Sequence, residues 1–189
     1  KVSLVPMLWT LLGTAMVSAG SAALNHYLER DVDALMHRTK ARPLPSGELT
    51  SAATLSFGFG LILVGQILLV VLVNLLTAWL ALLTAFLYVV IYTPMKRMTW
   101  LNTSLGAIPG ALPPVGGWVA ASGEIELGAW ALFAILFTWQ HPHFYSIAWI
   151  FRDDYRRAGF RMLPCVESEG CPRTCRQIIG FSVLLLAAS

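Results

Sequence analysis

The chain has 189 residues, of which 57% are hydrophobic and only 12% are charged, with a mean hydropathy of +0.67. A soluble globular domain carries about 25% charged residues, so this composition excludes one and points to an integral membrane protein. Net charge is +3 and the bases are divided among three short loops, which excludes an electrostatic nucleic-acid interface.

An apolar run of about 20 residues crosses a hydrocarbon core of roughly 30 Å. Six such runs are expected as membrane helices, near residues 4–25, 51–73, 75–93, 102–122, 127–151 and 176–189, giving an all-α, polytopic transmembrane bundle. The chain begins at Lys1 and stops inside the last run, so it reads as one transmembrane domain, 1–189, cut at both ends. The first run is too long for a secretory signal and lacks a small-residue cleavage site. If the helices alternate, residues 26–50, 94–101 and 152–175 share one membrane face. Every Lys and Arg except Lys1 falls in those loops or at their edge. By the positive-inside rule that face is cytoplasmic in a bacterial inner membrane, or faces the matrix in a mitochondrial one.

The first loop opens with the stretch NHYLERDVDALMHRTKARPLPSG, residues 25–47. Asn25, Glu29 and Asp33 are spaced i, i+4, i+8 and therefore line one helical stripe. Neighbouring carboxylates repel unless a cation lies between them, and Mg²⁺ is commonly held by one or two carboxylates plus substrate phosphates. The stripe alone also fits an interfacial helix end whose acids pair with Arg30 and Arg38. Arg38, Lys40 and Arg42 follow at once, with Pro43 and Pro45 ending helical structure there. Acids followed by bases suit a metal-bridged polyphosphate, the bases taking the remaining phosphate oxygens. Asp31 points away from the stripe and reads as a surface acid.

The second loop, YTPMKRMTWLN, brings Tyr92, Lys96, Arg97 and Asn102 to the same face, and the third brings Arg152, Asp153, Asp154 and Tyr155. Two acidic clusters among bases could hold two Mg²⁺ ions around one diphosphate. In the fourth run Pro109, Pro113 and Pro114 stand among four glycines and predict a kinked, closely packed helix. Pro142, between His141 and His143, predicts an irregular fifth helix with a backbone carbonyl freed about one turn earlier.

These stretches resemble a known family. NHYLERDVDALMHRTKARPLPSG resembles the N-x-x-x-[DE]-x-x-x-D and R-T-K-x-R-P-L motifs of the UbiA superfamily of intramembrane prenyltransferases. YTPMKRMTWLNTSLGAIPGALPPVGGW and FTWQHPHFYSIAWIFRDDYRRAGFRMLP are similar, more narrowly, to the haem O synthase (protohaem IX farnesyltransferase) branch. The similarity runs from about residue 10 to 180, over the central part of that branch's usual nine helices. It implies a helical fold around a cavity open to the charged face and to lipid. It also implies Mg²⁺-dependent transfer of a farnesyl group from farnesyl diphosphate to a vinyl group of haem b, giving haem O.

On the matching positions the resemblance assigns Asn25, Glu29 and Asp33, with Arg38 and Arg42, to catalysis. Metal ligation falls to Asn25, Glu29, Asp33, Asp153 and Asp154, and diphosphate contact to Arg38, Lys40, Arg42, Tyr92, Lys96, Arg97 and Asn102. Glu29 stands where Asp is commoner, Ala41 where Asn is frequent, and Asp153–Asp154 where many members have D-x-x-x-D. An ionisable residue inside a membrane is a functional candidate, and imidazole ligates iron, so His143, and less directly His141, are assigned to haem; a buried, hydrogen-bonded histidine is the alternative. His26 and His37 read as interfacial surface residues, and Cys165, Cys171 and Cys175 as free thiols. The implied partners are farnesyl diphosphate, haem b, the bilayer, and a haem A synthase or cytochrome oxidase assembly partner that receives the product. The rival readings are an aromatic prenyltransferase of quinone synthesis, a transporter, and a haem-binding membrane subunit. A transporter would carry charge deep in several spans, whereas here the carboxylates gather at one face.

Overall fold

The structure, a computed structural model, describes residues 4–168 and 170–189. Among them there are eight helices and no strand: α1 Leu4–Asp33, α2 Ser51–Leu72, α3 Leu75–Met98, α4 Asn102–Ser122, α5 Leu127–Ile150, α6 Arg152–Arg157, α7 Leu163–Val166 and α8 Pro172–Ala188. All six expected runs are helical. By length and composition α1, α2 and α3 are each able to cross a membrane, and α2 turns Phe57, Phe59, Leu63 and Val71 outward, as a lipid-facing surface requires. The molecule is a polytopic transmembrane helical bundle.

Three boundaries differ from expectation. Helix α1 does not stop near residue 25 but runs 30 residues to Asp33, about 45 Å at 1.5 Å per residue, so the polar stripe rides on the same rod as the apolar segment. Helix α3 continues to Met98, past Pro94, because that proline stands in the first turn of its terminal α-helical segment, where an N–H is dispensable. Helix α8 starts at Pro172. The prolines of α4 leave it one continuous helix from Asn102 to Ser122, and Pro142 likewise lies inside an unbroken α5.

Within α3, Leu87–Tyr92 form a π-helical turn between two α-helical segments. Thr93 Oγ1 donates to the Tyr88 carbonyl at 2.8 Å, stitching the wide turn. At the opposite membrane end Asn74 caps α3 by accepting from Thr77 N at 2.7 Å, and its amide donates to Val119 O of α4 at 3.2 Å. One side chain thus starts α3 and fixes it to α4.

Helices α1 and α2 meet backbone to backbone. A Cβ on Gly20 would lie 2.5 Å from the Gly58 carbonyl oxygen, and one on Gly65 would lie 2.7 Å from that of Gly13. A carbonyl cannot step aside as a side chain can, so the seam depends on small residues, the usual basis of helix association in lipid. Buried residues gather in three clusters: Val17, Leu69, Ala78 and Ala85 between α1, α2 and α3; Leu80, Leu112, Val115, Val119 and Ala129 between α3, α4 and α5; and Val32, Met36, Ala148, Tyr155, Ala158, Phe160 and Met162 at the charged end. The last cluster packs the end of α1 and the loop after it against α5 and the segment that follows it.

Candidate active site

The stripe on α1 faces inward. Asn25, Glu29 and Asp33 are 5%, 6% and 1% exposed, and each has been given a partner from another segment. Asn25 Nδ2 donates to Thr93 Oγ1 at 3.0 Å, and Thr93 is held in turn by the π turn. Glu29 takes Lys96 from the end of α3: Lys96 Nζ donates to Oε2 at 3.0 Å and stands 2.8 Å from Oε1. Asp33 Oδ2 accepts from Arg42 Nη1 at 2.7 Å, while Oδ1 is buried with no hydrogen-bond partner. Thr39 Oγ1 donates to the Asp33 carbonyl at 2.8 Å and folds the following loop back over the stripe.

These groups line one cavity of about 520 Å³, together with Arg38, His26, Tyr88, Tyr92, Gln140, Phe144 and Tyr155. Lys96 Nζ also lies 4.8 Å from the centre of the Tyr92 ring, which stacks on Tyr88 at 5.8 Å. Two glycines of α4 make space here. A Cβ at Gly106 would strike the Tyr92 ring, and one at Gly110 would strike the Gln140 amide. Gln140 spans the gap, its Nε2 donating to Ala107 O at 3.2 Å and to Leu136 O at 3.1 Å. Deeper in the bundle a second cavity of about 390 Å³ is lined mainly by Leu, Ala, Val, Thr and Ser; it shares Ser18, Thr84, Tyr88 and Pro113 with the first. A charged chamber therefore adjoins a largely apolar one through a common wall.

The structure brings Asn25, Glu29, Asp33, Arg38, Arg42, Tyr92 and Lys96 to this cavity and leaves the other candidates off it. Lys40 and Arg97 are exposed. Asn102 is fully buried but serves the backbone, its Nδ2 donating to Thr99 O at 2.6 Å and to Arg161 O at 3.1 Å. Asp153 is exposed beside Arg152 and Arg156. Asp154 faces the α1–α2 loop, accepting from the Arg38 amide at 3.2 Å and pairing with Arg157. Burial pushes the Asp154 carboxyl up, but the Arg38 and His37 amides and the Arg157 guanidinium outweigh it and hold it below the usual carboxylate range.

His141 is fully buried, with Nδ1 2.7 Å from Phe137 O, Nε2 3.1 Å from Ser104 Oγ and its ring stacked on Phe181 at 3.6 Å. His143 is exposed on α5 and stacks on Trp139 at 4.8 Å. His26, expected at the surface, lines the cavity instead, because it lies three positions before Glu29 and seven before Asp33, on the same side of the helix. Asp31 is exposed beside Arg30, as its helical angle requires. Sequence reasoning assigned no role to Gln140 or Tyr88. A Gln in the middle of an apolar run was the available signal for the first, since a polar amide in lipid needs partners.

Among the described residues no set of three or more His, Cys, Asp and Glu encloses a metal by itself. The donors present suit a hard cation that completes its shell elsewhere: two buried carboxylates on a cavity wall, each with an oxygen that accepts no hydrogen bond. Mg²⁺, which keeps water or substrate phosphate as ligands, fits such a set.

The UbiA prenyltransferase family model matches residues 1–189. The chain belongs to the UbiA prenyltransferase family. Among curated UbiA-family proteins it is 49% identical over 189 residues to the protoheme IX farnesyltransferase of Solibacter usitatus, covering 100% of this chain and 64% of that protein. It is 51% identical over 183 residues to the protoheme IX farnesyltransferase of Salinibacter ruber, covering 97% of this chain and 64% of the relative. This UbiA chain thus spans about 64% of the length of those relatives. Among solved structures it superposes on a UbiA homologue from Aeropyrum pernix with a TM-score of 0.78 at 22% identity, covering 100% of this chain and 70% of that one. A UbiA homologue from Archaeoglobus fulgidus bound to DMAPP and Mg²⁺ gives a TM-score of 0.77 at 19% identity, covering 100% and 66%. At such identities the superpositions establish the shared fold.

Proposed function

We propose that this UbiA-family chain carries the catalytic centre of a protohaem IX farnesyltransferase, which transfers the farnesyl group of farnesyl diphosphate to a vinyl group of haem b. The observation that carries the reading is the junction of the two cavities. Buried carboxylates and bases line one, and apolar side chains with a few hydroxyls line the other. An allylic diphosphate has the same polarity, an anionic head on a hydrocarbon tail. The curated relatives in Solibacter and Salinibacter carry the corresponding name.

Glu29 and Asp33, with Asn25 beside them, would hold Mg²⁺ in contact with the diphosphate, and the ion supplies positive charge against the developing leaving group. Arg42, Lys96 and Arg38 bind the remaining phosphate oxygens. Before substrate enters, Lys96 neutralises Glu29 and Arg42 neutralises Asp33, so neither sign is buried alone. A magnesium diphosphate offers each of these groups a counter-charge in turn, and departure of the diphosphate is favoured by fixed charge rather than by a nucleophilic side chain. Tyr88, Tyr92 and Phe144 line the charged cavity, where an aromatic quadrupole would favour positive charge developing on the allylic carbon, and the apolar chamber would keep stray water from it.

The C–O bond to diphosphate breaks and a C–C bond forms to one vinyl carbon of haem b. Water adds a hydroxyl to the other vinyl carbon and releases a proton, so that farnesyl diphosphate, haem b and water yield haem O, diphosphate and H⁺. Contact with haem is assigned to His143, whose ring is accessible, rather than to His141, whose two nitrogens are engaged. The positive-inside pattern supports a charged rim on the cytoplasmic side of a bacterial inner membrane. Membranes containing the protein, given farnesyl diphosphate, Mg²⁺ and either haem b or 4-hydroxybenzoate, test the reading by product mass. Haem O, lost on chelation of Mg²⁺, is expected. A prenylated benzoate with no haem product would move the chain to quinone chemistry.

A further inference from the structure

We propose that Asp154 is a positioning residue: it holds the α1–α2 loop by the amide of Arg38 so that the Arg38 guanidinium points into the charged cavity. This rests on the diphosphate-binding role given above to Arg38.

Four contacts converge on that loop. The Arg38 amide donates to Asp154 Oδ2 at 3.2 Å. Arg38 Nη2 donates to Tyr155 Oη at 3.1 Å. The guanidinium carbon lies 5.2 Å from the Phe151 ring centre and 5.7 Å from that of Tyr155. Arg157, one turn further along α6, pairs with the other carboxylate oxygen of Asp154 and so fixes its orientation. Backbone and side chain of Arg38 are thereby both held by consecutive residues of α6, while the neighbouring Thr39 is tied to the Asp33 carbonyl on α1. The loop is fastened on both sides of the cavity.

Asp154 is not among the residues lining the cavity, whereas Arg38 and Tyr155 are. Its carboxylate is directed at the Arg38 backbone N–H and the Arg157 guanidinium, which together use both oxygens. A carboxylate occupied in this way has little left to offer a metal, but it suits the task of curling a short loop, because charged acceptors make the stronger hydrogen bonds to amides. Asp153, exposed beside Arg152 and Arg156, plays no part in the clamp. The adjacent acids therefore divide into a loop anchor and a surface charge, rather than forming a second metal site.

The test uses the membrane-reconstituted protein with Asp154→Ala and Asp154→Asn, the latter keeping a carbonyl acceptor for the amide. Amide hydrogen exchange over residues 34–42 is expected to rise about tenfold in the Ala variant and to stay within about threefold in the Asn variant, in line with loss of the hydrogen bond in the first and its retention with a neutral acceptor in the second. In the transfer assay, KM for farnesyl diphosphate should rise about tenfold in the Ala variant, with kcat and the Mg²⁺ concentration for half-maximal rate unchanged. Unchanged exchange in the Ala variant overturns the anchor. So does a shift in Mg²⁺ half-saturation as large as that caused by Asp33→Asn, which would make Asp154 a metal ligand. If the wild-type protein transfers no prenyl group at all, the reading of its function fails, and hydrogen exchange alone still decides whether the anchor exists.

Discussion

Arg42 Nη1 lies 2.7 Å from Asp33 Oδ2, with the aspartate side chain 1% exposed and the arginine 31%. The eight residues between them form the loop that closes over the acid stripe, so this ion pair fastens the loop at its far end. Removing one member of a buried pair costs about 3–5 kcal/mol, because the other charge is left stranded. Arg42→Ala should accordingly lower the thermal unfolding temperature in detergent and raise the KM for prenyl diphosphate. Asp33→Asn leaves the charge of Arg42, which at 31% exposure reaches solvent, so the protein should stay inserted and folded while turnover falls by about 100-fold or more, as expected for loss of fixed charge at a leaving group. Near-normal turnover of Asp33→Asn in the farnesyl-transfer assay would remove Asp33 from the metal site.

The two histidines of α5 should separate in titrations with haem b. His143→Ala removes an accessible imidazole and should weaken haem binding about tenfold, while farnesyl diphosphate binding is retained. His141→Ala removes contacts with Phe137 O and Ser104 Oγ and the stacking on Phe181. It should therefore loosen α8, seen as easier proteolysis near the α7–α8 connection. Intact haem affinity in His143→Ala would end its assignment.

Acid should undo the start of α8 before the rest. Burial pushes the Glu167 carboxyl up, but the Arg173 and Thr174 amides and the Thr174 hydroxyl hold it below its ordinary value of 4.5. A depressed folded value contributes stability that is present above about pH 4.5 and is lost as pH falls through the lower folded value. Protection of the Thr174 amide from hydrogen exchange, relative to the intrinsic rate at each pH, should thus fall below pH 4.5, and Glu167→Gln should flatten that dependence by giving low protection at every pH. Equal pH profiles in the two proteins would show that Glu167 does not anchor the helix.

Thiol labelling should report both packing and sidedness. Cys175 is exposed, Cys171 is buried, and burial pushes the Cys165 thiol up to about 11. At pH 8 only about one Cys165 thiol in a thousand is ionised, and the thiolate is the reactive form. A membrane-impermeant maleimide should modify Cys175 first. It should do so in inside-out vesicles of the bacterial membrane and not in right-side-out ones, if the basic loops face the cytoplasm.

Much of this site was legible because α-helical period and charge are local properties. Asn25, Glu29 and Asp33 recur at four-residue spacing, and nothing in the fold rotates them off one face. Arg42 and Lys96 could be named as phosphate contacts from their loops, although their present partners, Asp33 and Glu29, depend on how the loops fold back. Roles set by third parties could not be read. Asn102 sits in a stretch rich in phosphate-binding chemistry, yet its amide is spent on Thr99 and Arg161 carbonyls whose position only the folded loops determine. Gln140 was overshadowed by His141 and His143, residues of more conspicuous chemistry. It is Gln140, with Phe144, Ile147 and Ala148 on the same side of α5, that meets the cavity. Asp153 and Asp154 look equivalent in sequence, and only the approach of Arg38 distinguishes them.

The wide turn at Leu87–Tyr92 sets the phase of everything beyond it in α3. Such a turn accommodates one residue more than an ordinary helical turn, at the expense of regular hydrogen bonding. Deleting a single residue there would restore the regular ladder, but it would also swing the downstream segment by roughly 100° about its axis. Lys96 would then turn away from Glu29, leaving an unneutralised acid inside the bundle. An apparently surplus residue thus works as a phase shifter, and local regularity is given up so that a distant ammonium arrives facing its carboxylate.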